Sequence, residues 1–168
     1  HGYEQVDAVE IDPGIPMLAL KYHPENPYAD ERVTTYVDDA RSFIKKTNKK
    51  YDLVYFGLLD AHSQSSAMNN MRMDHYVYTQ ESFNEAKKLL KDDGVLIVTY
   101  FAQRIWTAQR VSDLVENAMG WKPVVLSFSE EKNGLGYLAM LSSFDKNIVY
   151  NSIKQNPELL KFTAERSM

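Results

Sequence analysis

The residues Val95-Leu96-Ile97-Val98 form an apolar run without the polar alternation of a strand that faces water on one side. Such a run is typical of a strand covered on both faces, as in a parallel sheet between two layers of helices. Other apolar runs along the chain are also too short for helices and end at turn residues. The sequence therefore predicts strands at Val6 to Ile11, Val33 to Val37, Leu53 to Leu58, Val95 to Tyr100, Val124 to Phe128 and Leu138 to Leu141.

Stretches with helical spacing separate most of these strands. One of them begins at the acidic N-cap residue Asp39, and the longest stops at Gly120, a residue type common at helix C-termini. Strand–helix alternation of this kind predicts an α/β fold with a mostly parallel sheet covered by helices on both faces. We predict helices at Ile15 to Tyr22, Asp39 to Asn48, Gln80 to Leu90 and Ile105 to Met119.

The C-terminal part of the chain departs from this alternation. The last two predicted strands are joined by the polar loop Ser129 to Tyr137, which contains Asn133-Gly134, and this predicts an antiparallel hairpin at the C-terminal edge of the sheet. Residues 144–168 are predicted to form a helical tail, with a second helix near Asn156-Pro157-Glu158. We expect one α/β domain over residues 1–143, with the tail as part of the same domain.

Composition excludes several classes of protein. The 168 residues are 44% apolar, contain no cysteine and carry a net charge of −4, so disulfides and thiolate metal sites are excluded and nucleic acid is not an expected partner. No apolar run reaches the ~20 residues of a membrane-spanning helix, so we expect no membrane insertion by this chain and a cytoplasmic location. We also expect no metal site, because His23 and His75 have no partners at metal-ligand spacing.

Acidic residues follow the first two predicted strands. In open α/β sheets, ligands bind beyond the carboxyl ends of the strands. The first strand ends in Glu10-Ile11-Asp12 and the second in Asp38-Asp39-Ala40. A carboxylate there can accept hydrogen bonds from the hydroxyls of a ribose or from the exocyclic amine of a base. The same residues also suit a turn and a helix cap, and the sequence leaves both interpretations open.

The third strand leads into a long segment. Asp60 and His62 follow it as candidate acid/base groups or as residues of a solvated loop. Gln64 to Met73 lacks strong periodicity and is longer than most connections of this kind, which predicts a lid or substrate loop. No G-x-G-x-x-G, P-loop or G-x-S-x-G motif is present in the chain.

Five short motifs, in this order and spacing, resemble those of spermidine synthases, which belong to the Rossmann-like S-adenosylmethionine-dependent transferases. The resemblance covers about residues 6–100 and implies a Rossmann-like, doubly wound sheet. The motifs are Val6-Asp7-Ala8-Val9-Glu10-Ile11-Asp12, Val37-Asp38-Asp39-Ala40-Arg41-Ser42-Phe43-Ile44, Tyr51-Asp52-Leu53-Val54-Tyr55-Phe56, Tyr78-Thr79-Gln80-Glu81-Ser82-Phe83 and Leu89-Leu90-Lys91-Asp92-Asp93-Gly94-Val95-Leu96.

The resemblance also carries expectations about the wider protein. The family's first strand and glycine-rich turn would lie before His1, so we expect an N-terminally truncated fragment whose sheet has a gap or a new pairing. Because that pairing could come from another chain, a homo-oligomer is among the arrangements left open. The stretch Asp74-His75-Tyr76-Val77-Tyr78-Thr79 resembles synthase-like domains attached to bacterial membrane proteins, which implies the cytosolic domain of a membrane protein.

Carried over position by position, the resemblance implies an adenosyl-binding site. Glu10 would bind the ribose hydroxyls, with Asp12 nearby at the strand end, and Asp39 would take the adenine amine, with Ala40 beside the ring. The implied cofactor is S-adenosylmethionine or its decarboxylated form. The implied partners are this small-molecule donor and a small acceptor.

The catalytic position departs from the family pattern. Asp60 matches the second acid of the family's D-x-x-D, and the resemblance implies that it is catalytic, but Gly57 stands where the first acid would be. In the family, that first carboxylate orients and deprotonates the attacking amine. The sequence therefore leaves three functions open: aminopropyl or related transfer to an unknown acceptor, methyl transfer, and a non-catalytic nucleoside-sensing or assembly domain.

Overall fold

The computed structural model describes residues 2–57, 74–102, 104–128 and 136–166. Asp60, His62 and the predicted lid segment Gln64 to Met73 lie outside the described residues. The chain divides into two compact units, His1–Thr47 and Asn48–Met168. Each unit is described by itself.

The first unit is a pair of parallel strands, each followed by a helix. Its elements are β1 (Val6–Glu10), α1 (Gly14–Tyr22), a short 3-10 turn (Pro27–Ala29), β2 (Val33–Val37) and α2 (Ala40–Lys46). The register places Val6 opposite Val33 and Glu10 opposite Val37, so both strands end at the same level. These bounds confirm the sequence prediction for both strands to within one residue.

An ion pair closes the turn that leads into β2. The Asp30 carboxylate accepts hydrogen bonds from the Arg32 backbone N–H and Nε at 2.9 Å and from Nη2 at 2.6 Å. Hydrogen bonding from Arg32 holds the pKa of Asp30 well below its usual range. Because the folded-state pKa is lowered, the contribution of this pair to stability is present above the usual Asp pKa and is lost as the pH falls.

The second unit contains a four-stranded sheet and five helices among its described residues. The elements of this unit are β3 (Tyr51–Phe56), α3 (Asp74–Val77), α4 (Gln80–Lys88), β4 (Leu90–Ala102), α5 (Ile105–Met119), β5 (Val124–Ser127), β6 (Gly136–Ser143), α6 (Lys146–Gln155) and α7 (Pro157–Arg166). The strand order is β3-β4-β6-β5, in which β3 and β4 are parallel and β6 runs antiparallel to both of its neighbours. The predicted antiparallel hairpin at the C-terminal edge and the predicted helical tail are confirmed.

The core of the second unit lies between this sheet and its helices. Leu96 and Val98 of the apolar run in β4 are fully buried, whereas Val95 and Ile97, on the other face of the strand, are only partly buried. Phe83 of α4 and Val115 of α5 are likewise inaccessible to solvent. The two helices are also joined by a polar contact, because the Lys87 ammonium donates to the Ala118 carbonyl at 2.8 Å.

Strand β4 begins at Leu90 rather than at Val95, where the sequence predicts its start. The register against β3 shifts between Tyr51 and Leu53, so Lys91 to Gly94 form an irregular part of the strand instead of a terminating turn. The two backbones approach closely there, since a Cβ on Gly94 would lie 2.8 Å from the Tyr51 carbonyl oxygen. The turn residues Asp92, Asp93 and Gly94 predicted a later start of the strand, but pairing with β3 extends the strand back to Leu90.

The mixed α/β class and the parallel pairs are confirmed, with the strands of the described residues arranged in two sheets, β1-β2 and β3-β4-β6-β5. The expected missing first strand and the single domain over residues 1–143 stay predictions. Among the described residues, no helix is both long and apolar enough to cross a membrane. The relation to a membrane protein also stays a prediction.

We expect Gly120→Ala to lower the free energy of unfolding by about 1 kcal/mol. Gly120 ends α5 with a φ of 90°, and its N–H donates to the Glu116 carbonyl at 2.7 Å. A Cβ at this position would meet nothing within 4 Å, so the expected loss comes from the left-handed backbone alone. Urea denaturation measures the effect. Gly2→Ala, where space is equally open and φ is not in this region, should change nothing, and equal stability of both variants would contradict the argument.

Candidate functional site

The carboxyl ends of β1 and β2 lie side by side in the first unit. Glu10 is the last residue of β1 and pairs with Val37, the last residue of β2. The backbone connection continues one step further, because the Asp38 N–H donates to the Glu10 carbonyl at 3.2 Å. Neighbouring strands are about 5 Å apart, so the residues that follow both strands share one edge of this sheet.

The connection after β1 is held by its own carboxylates. Glu10 Oε1 accepts from the Asp12 N–H at 3.1 Å, and Asp12 Oδ1 accepts from the Gly14 N–H at 2.8 Å. Asp12 thus forms a turn, which is one of the two roles that the sequence left open for it. Glu10 is half-buried, and its second carboxylate oxygen, Oε2, has no hydrogen-bond partner among the described residues.

The connection after β2 separates two adjacent acids. Both Asp38 oxygens are occupied, Oδ1 by the Asp39 N–H at 2.9 Å and Oδ2 by the Lys46 ammonium at 3.2 Å. Asp39 Oδ1 caps α2 by accepting from the Ser42 N–H at 2.9 Å, as the sequence allowed. Within the described part of the chain, Asp39 Oδ2 has no partner. Ala40 opens the helix, so its N–H has no acceptor inside α2.

The four predicted adenosyl-binding residues are therefore brought to one edge of the β1-β2 sheet. Glu10 and Asp12 come from β1 and its connection, whereas Asp39 and Ala40 come from the start of α2. The Tyr36 and Phe43 rings, 4.8 Å apart, pack α2 against β2. Each of the two half-buried carboxylates, Glu10 and Asp39, has one oxygen without a hydrogen-bond partner among the described residues.

In the second unit, two hydroxyl groups from outside β3 contact the end of that strand. The Thr99 hydroxyl donates to the Phe56 carbonyl at 3.0 Å, and the Tyr78 hydroxyl lies 3.1 Å from both the Gly57 and the Thr99 carbonyl oxygens. Asp60, the predicted catalytic residue, lies outside the described residues. No local sequence pattern indicates these bonds of Tyr78, because its partners are 21 residues away on either side.

A family model described as the spermine/spermidine synthase domain matches residues 1–126 of the 168. The chain belongs to this family. The match begins before β1, ends within β5, and includes every predicted site residue. The resemblance predicted from the five short motifs is therefore confirmed.

The chain is similar in sequence to two polyamine aminopropyltransferases. A polyamine aminopropyltransferase 2 from Aquifex aeolicus is 32% identical over 100 residues, which are 56% of this chain and 19% of that protein. A polyamine aminopropyltransferase from Pyrobaculum aerophilum is 25% identical over 158 residues, covering 90% of this chain and 49% of that protein. The chain thus spans half or less of the length of these relatives.

Solved structures confirm the fold. A spermidine synthase in complex with the transition-state analogue AdoDATO aligns with a TM-score of 0.68 and 14% identity, over 90% of this chain and 50% of that one. The human methyltransferase-like protein 13 in complex with SAH aligns with a TM-score of 0.65 and 15% identity, over 94% of this chain and 71% of that one. The predicted Rossmann-like, methyltransferase-like fold is therefore confirmed.

We expect Asp39→Ala to destabilise the first unit by about 1 kcal/mol, because it removes the N-cap of α2. Asp39→Asn should retain most of this stability, since the Asn oxygen can accept from the Ser42 N–H in the same way. Hydrogen exchange at the α2 amides measures the difference between the two variants. Asp145→Ala, which removes the corresponding cap of α6, is the control and should leave α2 exchange unchanged. Equal exchange in both Asp39 variants would contradict the capping role.

Proposed function

We propose that the chain binds the adenosyl group of a sulfonium donor and takes part in transferring an aminopropyl or related group to a small acceptor. The observation that carries this proposal is the shared edge at which Glu10 and Asp39 follow paired strands, each with one carboxylate oxygen unused among the described residues. Family membership supports the same function. The chain spans half or less of the length of its relatives. The transfer activity of the whole protein is therefore also part of what we propose.

Glu10 would hold the ribose. A carboxylate at the end of a strand can accept hydrogen bonds from ribose hydroxyl groups. Its Oε1 is held by the Asp12 N–H, which fixes the carboxylate plane and leaves Oε2 for the ligand. Asp12 closes the turn through the Gly14 N–H, which positions Glu10, and we propose that Asp12 lies beside the ribose at the strand end.

Asp39 and Ala40 would hold the base. The edge of adenine presents an amine donor, and Asp39 Oδ2 is an acceptor whose direction is set by the bond from Oδ1 to the Ser42 N–H. The Ala40 N–H, which has no acceptor inside α2, is a donor one residue away. The small side chain of Ala40 leaves room for the ring. A donor and an acceptor in adjacent positions match the hydrogen-bonding edge of a purine.

The transfer itself is a nucleophilic displacement. The acceptor lone pair forms a bond to the carbon next to the sulfonium, the carbon–sulfur bond breaks, and sulfur keeps the electron pair. The proton of an amine acceptor must leave for a base, and we propose Asp60 for that role. The remaining contribution of the protein is alignment of the two reactants.

Methyl transfer is the second candidate, and the end of β3 favours it. Gly57 replaces the acid that prepares an amine in the family, and hydroxyl groups, rather than carboxylates, occupy the described end of β3 and β4. An acceptor that already carries a lone pair needs no such acid. The two reactions use different donors, so the donor that the protein binds distinguishes between them.

We expect isothermal titration calorimetry to show binding of S-adenosylmethionine or its decarboxylated form. Glu10→Ala should weaken this binding by roughly 1–3 kcal/mol, the value of a lost charged hydrogen bond. Asp39→Asn should weaken it similarly, because it keeps the cap but turns a donor toward the adenine amine. Glu4→Ala, which removes the same charge before β1, should bind normally.

The outcomes of this titration distinguish the functions. Binding of the decarboxylated donor alone supports aminopropyl transfer, and binding of S-adenosylmethionine supports methyl transfer. Binding of neither donor contradicts the proposal and favours a non-catalytic module. Binding that is unchanged in both the Glu10 and the Asp39 variants would remove this edge of the sheet from the site.

We expect Gly57→Asp to raise aminopropyl transfer to an amine acceptor by about tenfold or more, since it restores a carboxylate for proton removal. The position accepts a side chain, because a Cβ there would meet only Tyr55 Cε1 at 3.8 Å. Gly57→Asn, similar in size but uncharged, is the matched control. A rate assay with decarboxylated donor measures the gain. The absence of a gain, with methyl transfer intact, would favour the second candidate.

A further inference from the structure

Asp38 joins the two connections that carry the proposed ligand carboxylates. It follows β2 directly, and its N–H donates to the Glu10 carbonyl at the end of β1, at 3.2 Å. Its side chain bonds the other connection, where Asp38 Oδ1 accepts from the Asp39 N–H at 2.9 Å. Asp38 is thus bonded to the backbone of both residues, while both of its own carboxylate oxygens already have partners.

The bond between Asp38 and Asp39 restricts the backbone that carries Asp39. A side-chain oxygen that accepts from the next N–H closes a small ring, so the peptide unit between the two residues cannot rotate freely. Asp39 Oδ1 is held in turn by the Ser42 N–H at 2.9 Å. Asp39 is therefore restrained at its backbone and at its carboxylate, which limits the direction of Oδ2.

Lys46 restrains Asp38 from the far end of α2. It is the last residue of this seven-residue helix, and its ammonium lies 3.2 Å from Asp38 Oδ2. Helical side chains lean toward the helix N-terminus, which lets Lys46 reach back to Asp38. Because the Lys46 side chain is largely exposed, the pair contributes little to the stability of the fold. Its effect is on the orientation of the Asp38 carboxylate.

The charges at this edge explain why Asp38 needs a cationic partner. Glu10 and Asp39 follow neighbouring strands, and Asp38 is bonded to both, so three carboxylates share one edge. Like charges that lie close together repel each other. Without Lys46, this repulsion would turn the Asp38 carboxylate into solvent and away from the Asp39 N–H.

We infer that Asp38 is a positioning residue for the base of an adenosyl ligand: it orients Asp39 toward the 6-amino group, and Lys46 holds it in place. The inference rests on the proposed function, in which Asp39 Oδ2 accepts from that amine. Asp38 acts through Asp39 and does not touch the ligand. Its side chain does not act on Glu10, because the bond to Glu10 uses backbone atoms alone.

The test measures the binding of three nucleosides to the protein by calorimetry. They are adenosine, purine riboside, which lacks the 6-amino group, and 2′-deoxyadenosine. The wild type should bind purine riboside about tenfold more weakly than adenosine, the effect of one lost hydrogen bond to a charged group. Asp38→Ala should reduce this ratio by about fivefold, since hydrogen bonds weaken steeply when their geometry is lost. The ratio for 2′-deoxyadenosine should stay at the wild-type value, whereas a general loosening of the first unit would change both ratios.

Matched variants separate the bond from the charge. Asp38→Asn should keep the wild-type preference for adenosine, because its amide oxygen can still accept from the Asp39 N–H. Lys46→Met should lower the preference by about threefold, the range of an exposed ion pair. Lys45→Met, which removes the same charge one residue earlier, should not lower it. In the Asp38→Asn background, Lys46→Met should have no effect, since the amide carries no charge.

The outcomes distinguish this inference from the proposed function. A wild-type preference for adenosine that is unchanged in both Asp38→Ala and Lys46→Met would overturn the role of Asp38 alone. If Asp38→Ala does not fold, the comparison of Lys46→Met with Lys45→Met decides, because exchanges of exposed lysines leave a fold intact, and equal preference in these two variants would overturn the inference. A wild type that binds neither the nucleosides nor a sulfonium donor would overturn the proposed function, and the role of Asp38 with it.

Discussion

Parallel pairing between β1 and β2 is the constraint on which the candidate site depends. Glu10 and Val37 are the last paired residues, and the Asp38 N–H continues the ladder to the Glu10 carbonyl. A slip of one residue would turn the side chains of one strand to the opposite face. The Glu10 side chain would then lie on the opposite face of the sheet relative to the residues that follow β2. The register thus links the stability of the first unit to the proposed site.

The carboxylates at this edge have two uses at once. In Glu10 and in Asp39, one oxygen accepts a backbone N–H and the other is unused among the described residues. The backbone bond fixes the direction of the second oxygen before any ligand arrives, which lowers the ordering cost of binding. The turn and cap roles that the sequence suggested therefore do not compete with the nucleoside role that we propose. They would orient the carboxylates for it.

The sequence predicted the features that depend on local patterns and missed those that depend on distant partners. Apolar runs predicted β2 with its observed bounds, and helical spacing with a terminal glycine did the same for α5. The early start of β4 escaped prediction because pairing with β3 carries the strand through Asp92-Asp93-Gly94, a sequence that alone favours a turn. The Tyr78 bond escaped for the same reason, since no local pattern indicates an acceptor 21 residues away.

The hydroxyl groups at the end of β3 limit what the proposed reaction can use as a base. The Thr99 proton and the Tyr78 proton are both committed to backbone carbonyls, and neutral hydroxyl groups are weak acceptors of a proton from an amine. Gly57 contributes no group at all. The described hydroxyl groups at the end of β3 therefore supply no base for the proposed amine transfer, and Asp60, the base that we propose, is the acid nearest to Gly57 in the sequence.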